Sequence, residues 1–447
     1  MTVLPRRLRA RGGGAGPRLR PPRRLAPLAL ALVALASAAC TETLDTSAAC
    51  PALCPNQDVT LRDTTIDAVV LDTTLSNFPA KGAEDVLLVA SHGAALDTRA
   101  VLRFDTLPRT FNRSATEINV PITSLTTARV RFSVDTGGSV LSAPVTVSLY
   151  DVDTPELDPT DAASLALFTE DRLLGSRTLA SKAEIGDTLR VSLDPAKVGA
   201  KVAGGQRLRL GVRVSSAAPV ELRLIATTTS APGSAPVLTV DPTDSTDAVV
   251  PLATGTSSAA SAASPTLQFN ARDYLLVAAG QQPVPSDALV VGGLPARRVY
   301  MRFDIPTALL DSATIVRASL LLTQRPSAGV NPTTGVPLVP MISLAGRDIT
   351  DLARAALVVA GPETIAGLAS VTLNPGEQGL RIVELASIIP GWRSDIYDVN
   401  PRAIVLRVGG EGFVPGELRF YSTEATDPTV RPRLRINYVP RVTFGVP

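Results

Sequence analysis

Apolar and polar residues alternate with a period of two along much of this chain. In the stretch RLRLGVRV, Leu208, Leu210, Val212 and Val214 fall on one side while Arg207, Arg209 and Arg213 fall on the other. The same alternation runs from Ala128 to Val134, with Val130, Phe132 and Val134 on the inward side. A buried face opposite a solvated face is the pattern of antiparallel strands that cover one side of a core. Many such runs, punctuated by Pro, Gly, Asp and Ser, predict an all-β chain of jelly-roll-like antiparallel β-sandwiches. Helical spacing interrupts the pattern twice, at Thr160 to Leu167 and at Ile349 to Ala360, where Ile349, Leu352, Ala353, Ala356 and Leu357 recur on one face. Both read as short crossover helices capping the ends of the sandwiches.

Self-similarity sets the number of sandwiches. The string DAVV occurs at Asp67 to Val70 and again at Asp247 to Val250. DVLLVA (Asp85 to Ala90) matches DYLLVA (Asp273 to Ala278), and VLRFD (Val101 to Asp105) matches YMRFD (Tyr300 to Asp304). Glu221, Leu222, Arg223, Pro236 and Leu238 return as Glu417, Leu418, Arg419, Pro432 and Leu434 at one constant offset. The expected division is a leader at 1–39, a tether at 40–58, a first sandwich at 59–242, a second at 243–440 and a tail at 441–447. Each copy is long enough to bury its own core. The Ser/Ala/Thr-rich run from Ala253 to Ser264 looks like a linker by composition, but it follows the second DAVV and is read as a loop inside the second copy.

The leader changes the charge picture. Arg6, Arg7, Arg9, Arg11, Arg18, Arg20, Arg23 and Arg24 precede an apolar run from Leu25 to Ala36, followed by Ser37, Ala38, Ala39 and Cys40. That order is a secretory signal, and the run is shorter than the ~20 residues that span a bilayer. Residues 1–39 hold eight of the 43 Lys and Arg and none of the 41 Asp and Glu, so the rest of the chain is net acidic. No basic patch recurs, and a nucleic-acid partner has no electrostatic footprint.

Leu35 to Cys40 resembles a bacterial lipobox, which implies acylation of Cys40, a membrane partner through the lipid, and an outer-membrane or cell-surface location. The position three before the cysteine is Ser37 where that family usually carries Leu. Plain secretion after Ala36 and Ala38 is the alternative. Cys50 and Cys54, in CPALC, are close enough to close a small disulfide in an oxidising compartment.

The segments RVYMRFD (Arg298 to Asp304), ASLLL (Ala318 to Leu322), VELASIIPGW (ending at Trp392), GELRFYST (Gly416 to Thr423) and RPRLRINY (Arg431 to Tyr438) are similar to the DNRLRE-type domain. That is a β-sandwich module of secreted polysaccharide-active and surface proteins. The resemblance implies carbohydrate binding, and it covers the second copy better than the first.

Candidate chemistry is sparse. Only 4% of residues are aromatic, yet Trp392, Tyr397 and Tyr421 fall in the second copy, where an aromatic face could stack on a sugar. Trp392 also reads as a plug at one end of the sandwich. Asp151, Asp153, Glu156, Asp158 and Asp161 crowd one loop with the oxygens that calcium takes, and a solvated loop is the plainer reading. His92, the sole histidine, reads as a surface-loop residue. No nucleophile elbow, phosphate loop or cofactor fingerprint is present. The expectation is a non-enzymatic surface protein without a required cofactor that contacts polysaccharide or envelope proteins. The alternatives are a structural assembly component and a polysaccharide lyase or hydrolase.

Overall fold

The computed structural model describes residues 60–114, 116–227, 234–243, 250–253, 273–280, 282–327, 329–343, 358–359, 370–385 and 403–441. The expectations placed on Cys40, Cys50, Cys54, Trp392 and Tyr397 lie outside them. The chain is all-β, with antiparallel sheets throughout, as the alternation predicts.

The main strands of the first half are β1 (Arg62–Ile66), β2 (Val69–Phe78), β3 (Val86–Ser91), β4 (Asp97–Phe104), β5 (Leu125–Ser133), β6 (Val145–Asp151), β7 (Leu173–Leu179), β8 (Thr188–Leu193), β9 (Leu208–Ser216), β10 (Val220–Ile225) and β11 (Val237–Pro242). The second half continues with β12 (Val250–Ala253), β13 (Asp273–Ala279), β14 (Ala288–Gly292), β15 (Ala296–Phe303), β16 (Ala313–Arg325), β17 (Val336–Ser343), β18 (Val371–Leu373), β19 (Gly379–Glu384), β20 (Ala403–Val408), β21 (Glu417–Tyr421) and β22 (Arg433–Pro440).

Two cores form. In the first, Leu208, Leu210, Val212 and Val214 of β9 meet Val130 and Phe132 of β5, all at most 1% exposed. In the second, Leu418, Phe420, Leu434 and Ile436 meet Ala318, Leu320 and Leu322, all fully buried. Each such Leu, Ile or Phe removed from water contributes about 1.5–3 kcal/mol, so side-chain parity decides the fold.

The strands do not pair according to the expected division at 242. β1 pairs with β22, and β2 with β15, both strands of the second sandwich. Conversely β12 pairs with β11 and β13 with β4, both strands of the first. The first sandwich is therefore built from β3 to β13, and it is inserted between β2 and β14 of the second. The registers also correct the repeat. Leu87 and Val89 of β3 face Leu224 and Leu222, while Leu289 and Val291 of β14 face Phe420 and Leu418. DVLLVA thus corresponds to Asp287–Gly292, not to DYLLVA. DYLLVA, in β13, corresponds to β2, since the two occupy the same edge against β4 and β15. Apolar content specifies that a strand is buried but not which neighbour it chooses, and the two runs were alike in composition only.

The solvated face expected of β9 is covered at Arg209 and Gly211, while Arg207 and Arg213 stay half-buried and Ser215 exposed. Arg209 is 1% exposed, beneath residues 151–168. The helix α1 (Asp161–Leu165), capped by Thr160, lies over the sheet with Leu165, Leu167 and Phe168 against Val101, Tyr150 and Tyr274. Gly211 makes the approach feasible, because a Cβ there would stand 2.7 Å from the Phe168 ring. The first crossover helix therefore exists, but it covers a sheet face and does not cap an end. A second helix, α2 (Pro195–Ala203), was not expected from the pattern, although Asp194 caps it, Pro195 opens it, and Val198 and Val202 are buried at helical spacing. In the expected helix Ile349 to Ala360, Val358 and Val359 are strand, paired with Ser343 and Ile342. The remainder of that segment lies outside the described residues.

Candidate functional site

The acidic loop spreads its carboxylates over several cations, although Asp151 and Asp153 share Lys201, which lies 3.6 Å from Asp153. Asp151 stands 2.9 Å from Lys201, Asp153 is 2.7 Å from Arg207 and 3.7 Å from Arg209, Asp158 is 3.7 Å from Arg103, and Asp161 is 2.7 Å from Lys81. Glu156 contributes its carbonyl, which accepts from Arg207 at 3.0 Å and Arg209 at 3.2 Å. These pairs tie the loop onto the sheet over the buried arginines. Burial is the main reason the Arg209 guanidinium falls below its usual pKa, and the neighbouring Arg103 and Arg207 charges add to it. Four carboxylates held by cations have little oxygen charge left to offer calcium. Among the described residues, no three His, Cys, Asp or Glu side chains are grouped as a metal site.

Tyr421 stands on the outer face of the second sandwich, as its parity predicts, while Phe420 points into the core. The Arg325 guanidinium lies 5.0 Å from the Tyr421 ring centroid and donates to Asp287 at 2.9 Å. Arg419, on the same face of β21, is held by Glu417 at 2.5 Å. One half-buried aromatic ring, two guanidiniums and their two carboxylate partners therefore share one patch. The first sandwich has Ile225 at the position of Tyr421 and shows no such ring there.

His92 is not a free surface residue. Its side chain is 11% exposed, and Nε2 lies 3.2 Å from Glu221, which also accepts from Asn331 at 2.6 Å. This junction binds the outer face of β10 to a loop of the second sandwich. Leu88, Ala90 and Leu96 pack there against Leu294, Val330 and Phe413.

A second buried group at the junction escaped the sequence reading. Glu84 lies in the segment that carries the chain from β2 in the second sandwich to β3 in the first. It is 6% exposed and accepts from the backbone N–H groups of Gly82 at 2.6 Å and Leu275 at 3.3 Å. Burial pushes its carboxyl up to about 7, against the pull of those N–H donors, and the nearby Asp273 raises it further. No local pattern marks Glu84, because its burial arises only when β13 docks beside it. Arg298 and Glu411 form a comparable buried pair in the second sandwich, at 2.7 and 2.5 Å, with the Arg298 guanidinium over the Phe78 ring.

No protein-family model matches this chain, and no curated protein does. Among solved structures it is similar to the N-terminal CBM22-1-CBM22-2 tandem domain of Xyn10C from Paenibacillus barcinonensis, at 10% identity and a TM-score of 0.15, over 83% of this chain and 97% of that one. It is also similar to the C-terminal domain of the antigen I/II-family protein AspA of Streptococcus pyogenes, at 8% identity and a TM-score of 0.14, over 80% and 92%.

Proposed function

We propose that this chain is an exported, lipid-anchored, non-catalytic surface protein that binds polysaccharide through the outer face of its second sandwich. The observation that carries the reading is the Tyr421 patch. An aromatic ring offers a sugar its apolar face, and Arg325, Asp287 and Arg419 are hydrogen-bonding groups around it that can meet hydroxyls. The non-catalytic part is supported by how the carboxylates are committed. Glu411 is held by Arg298, Glu417 by Arg297 and Arg419, and Glu384 by Arg317. The sequence likeness to DNRLRE-type domains agrees with this ligand class, and Cys40, the first residue after the leader at 1–39, is the acylation site of this reading.

A glycan array probed with the mature protein tests the reading. Binding that falls at least tenfold in Tyr421→Ala supports it, and silence across the array refutes it. Processing that is blocked by globomycin supports acylation of Cys40; processing that is unchanged refutes it. Release of reducing or unsaturated ends from a polymer would overturn the non-catalytic part.

A further inference from the structure

The two sandwiches treat one equivalent edge in opposite ways. In the first, β8 forms the edge beside β5, and its free side is closed by β7. Arg177 donates to the Arg190 carbonyl at 2.9 Å, and Gly175 sits so close that a Cβ would lie 2.1 Å from the Ser192 carbonyl oxygen. The outward residues of that edge are Thr188, Arg190 and Ser192, beside Arg131 and Ser133 on β5.

In the second sandwich β19 takes the place of β8, and β16 that of β5. Ile382 faces Leu321 where Arg190 faces Arg131, and Leu380 faces Thr323 where Thr188 faces Ser133. Leu380 is 53% exposed and Ile382 48%. The strand equivalent to β7 is β18, which has three residues and pairs with β17. No described strand pairs with the free side of β19. An apolar edge with unpaired backbone groups is a template for another strand.

We infer that β19 is a self-association edge at which a second copy of this chain adds antiparallel through its own β19. The choice of a second copy rests on how the strand complements itself. The Arg190 and Ser192 carbonyls point to the free side in the first sandwich, so the equivalent Ile382 and Glu384 peptides point there in the second. A two-fold axis at Ile382 then sets Ile382 opposite its mate as a hydrogen-bonded pair and Leu380 opposite Glu384. Glu384 is already turned to Arg317 and Ser319, at 2.5 and 3.1 Å, so its aliphatic stem meets Leu380. Arg381 meets Val383, and no like charges face each other. Moving the axis to Arg381 would set two guanidiniums opposite one another, which disfavours that register. The Ile382 axis closes on itself and yields a dimer, not a fibre.

Sedimentation velocity on the full chain from low to high micromolar concentration tests this, beside Ile382→Lys and Leu380→Lys chains checked for unchanged circular dichroism. The expected result is a monomer-dimer equilibrium that each lysine shifts to monomer by at least tenfold in dissociation constant. A wild-type chain that stays monomeric overturns the inference, even if it captures an extended apolar peptide. A dimer indifferent to both substitutions overturns it equally. Should either lysine variant misfold, Ile382→Thr is read by the same two outcomes. Glycan binding is measured separately, through Tyr421, and its loss or survival does not bear on the edge.

Discussion

The two sandwiches share a plan and differ in what they leave open. The first covers the outer face of its β4 and β9 strands with α1 and the acidic loop, and closes the β8 edge with β7. The second places Tyr421 on an outer face and leaves Leu380 and Ile382 on an edge. The same core pattern therefore carries different outward residues in the two copies. The difference lies in a few outward positions that the core does not constrain, because the pleat separates inward from outward residues.

The largest effects should come from the cores. Phe132→Ala in the first and Phe420→Ala in the second should each cost about 3–5 kcal/mol in urea unfolding, since both rings are fully buried. Equal losses would show that the copies depend alike on their cores despite their different surfaces. A loss confined to one would break the parallel.

Next comes the buried pair of the second sandwich. Glu411→Ala leaves the Arg298 charge buried and unpaired, with an expected cost of about 3–5 kcal/mol. In the acidic loop of the first sandwich, where Asp158 lies 3.7 Å from Arg103 and is exposed, Asp158→Ala should cost at most about 1 kcal/mol. Thermal unfolding of the two variants gives the contrast directly.

The joint between the copies should respond to pH. The folded-state pKa of Glu84 is raised from 4.5 to about 7, so the folded chain binds the proton more tightly than the unfolded chain does. The stabilisation from that proton is fully present below pH 4.5 and is lost as pH rises through 7. It amounts to roughly 3 kcal/mol between pH 4.5 and 8. Glu84→Gln should flatten that part of the stability profile, as followed by melting temperature from pH 5 to pH 8. A profile as steep as the parent's would remove Glu84 from the account.

The smallest effect sharpens the edge comparison. Arg177→Ala with Arg190→Ile makes the edge of the first sandwich apolar at the position of Ile382, while β7 still closes it through Gly175 against the Ser192 carbonyl. Stability should change by less than about 1 kcal/mol, because both side chains are at the surface. No new concentration-dependent association should appear in sedimentation velocity; its appearance would show that an apolar outward residue alone, without an open backbone edge, is enough for association.

Much of this was legible in the sequence, for a physical reason. Inward alternation at Leu208 to Val214 and at Leu434 to Ile436 is enforced by burial, and it survived intact. Tyr421 was placed outward by the same parity. What failed depends on partners far away in sequence. Arg209 alternates as a solvated residue should, yet residues 151–168 cover it, and the Glu156 and Leu157 carbonyls accept from its two Nη atoms. DYLLVA and DVLLVA look alike because both are buried runs, and only the registers show that they occupy different places. The acidic loop read as oxygen-rich in isolation, since Lys201, Arg207 and Arg209 approach from about 50 residues downstream. Val358 and Val359 sat in a helical pattern, but β-branched residues beside Ile342 and Ser343 form strand there.

The insertion of one sandwich between two strands of the other is tested by the cooperative folding of two fragments, followed by circular dichroism and thermal unfolding. Residues 80–280 contain β3 to β13 and should fold alone with a single sharp transition. Residues 59–242 lack β12 and β13 and carry β1 and β2 without their partners, so they should stay unfolded or aggregate. The reverse outcome, a folded 59–242 beside an unfolded 80–280, would contradict the account.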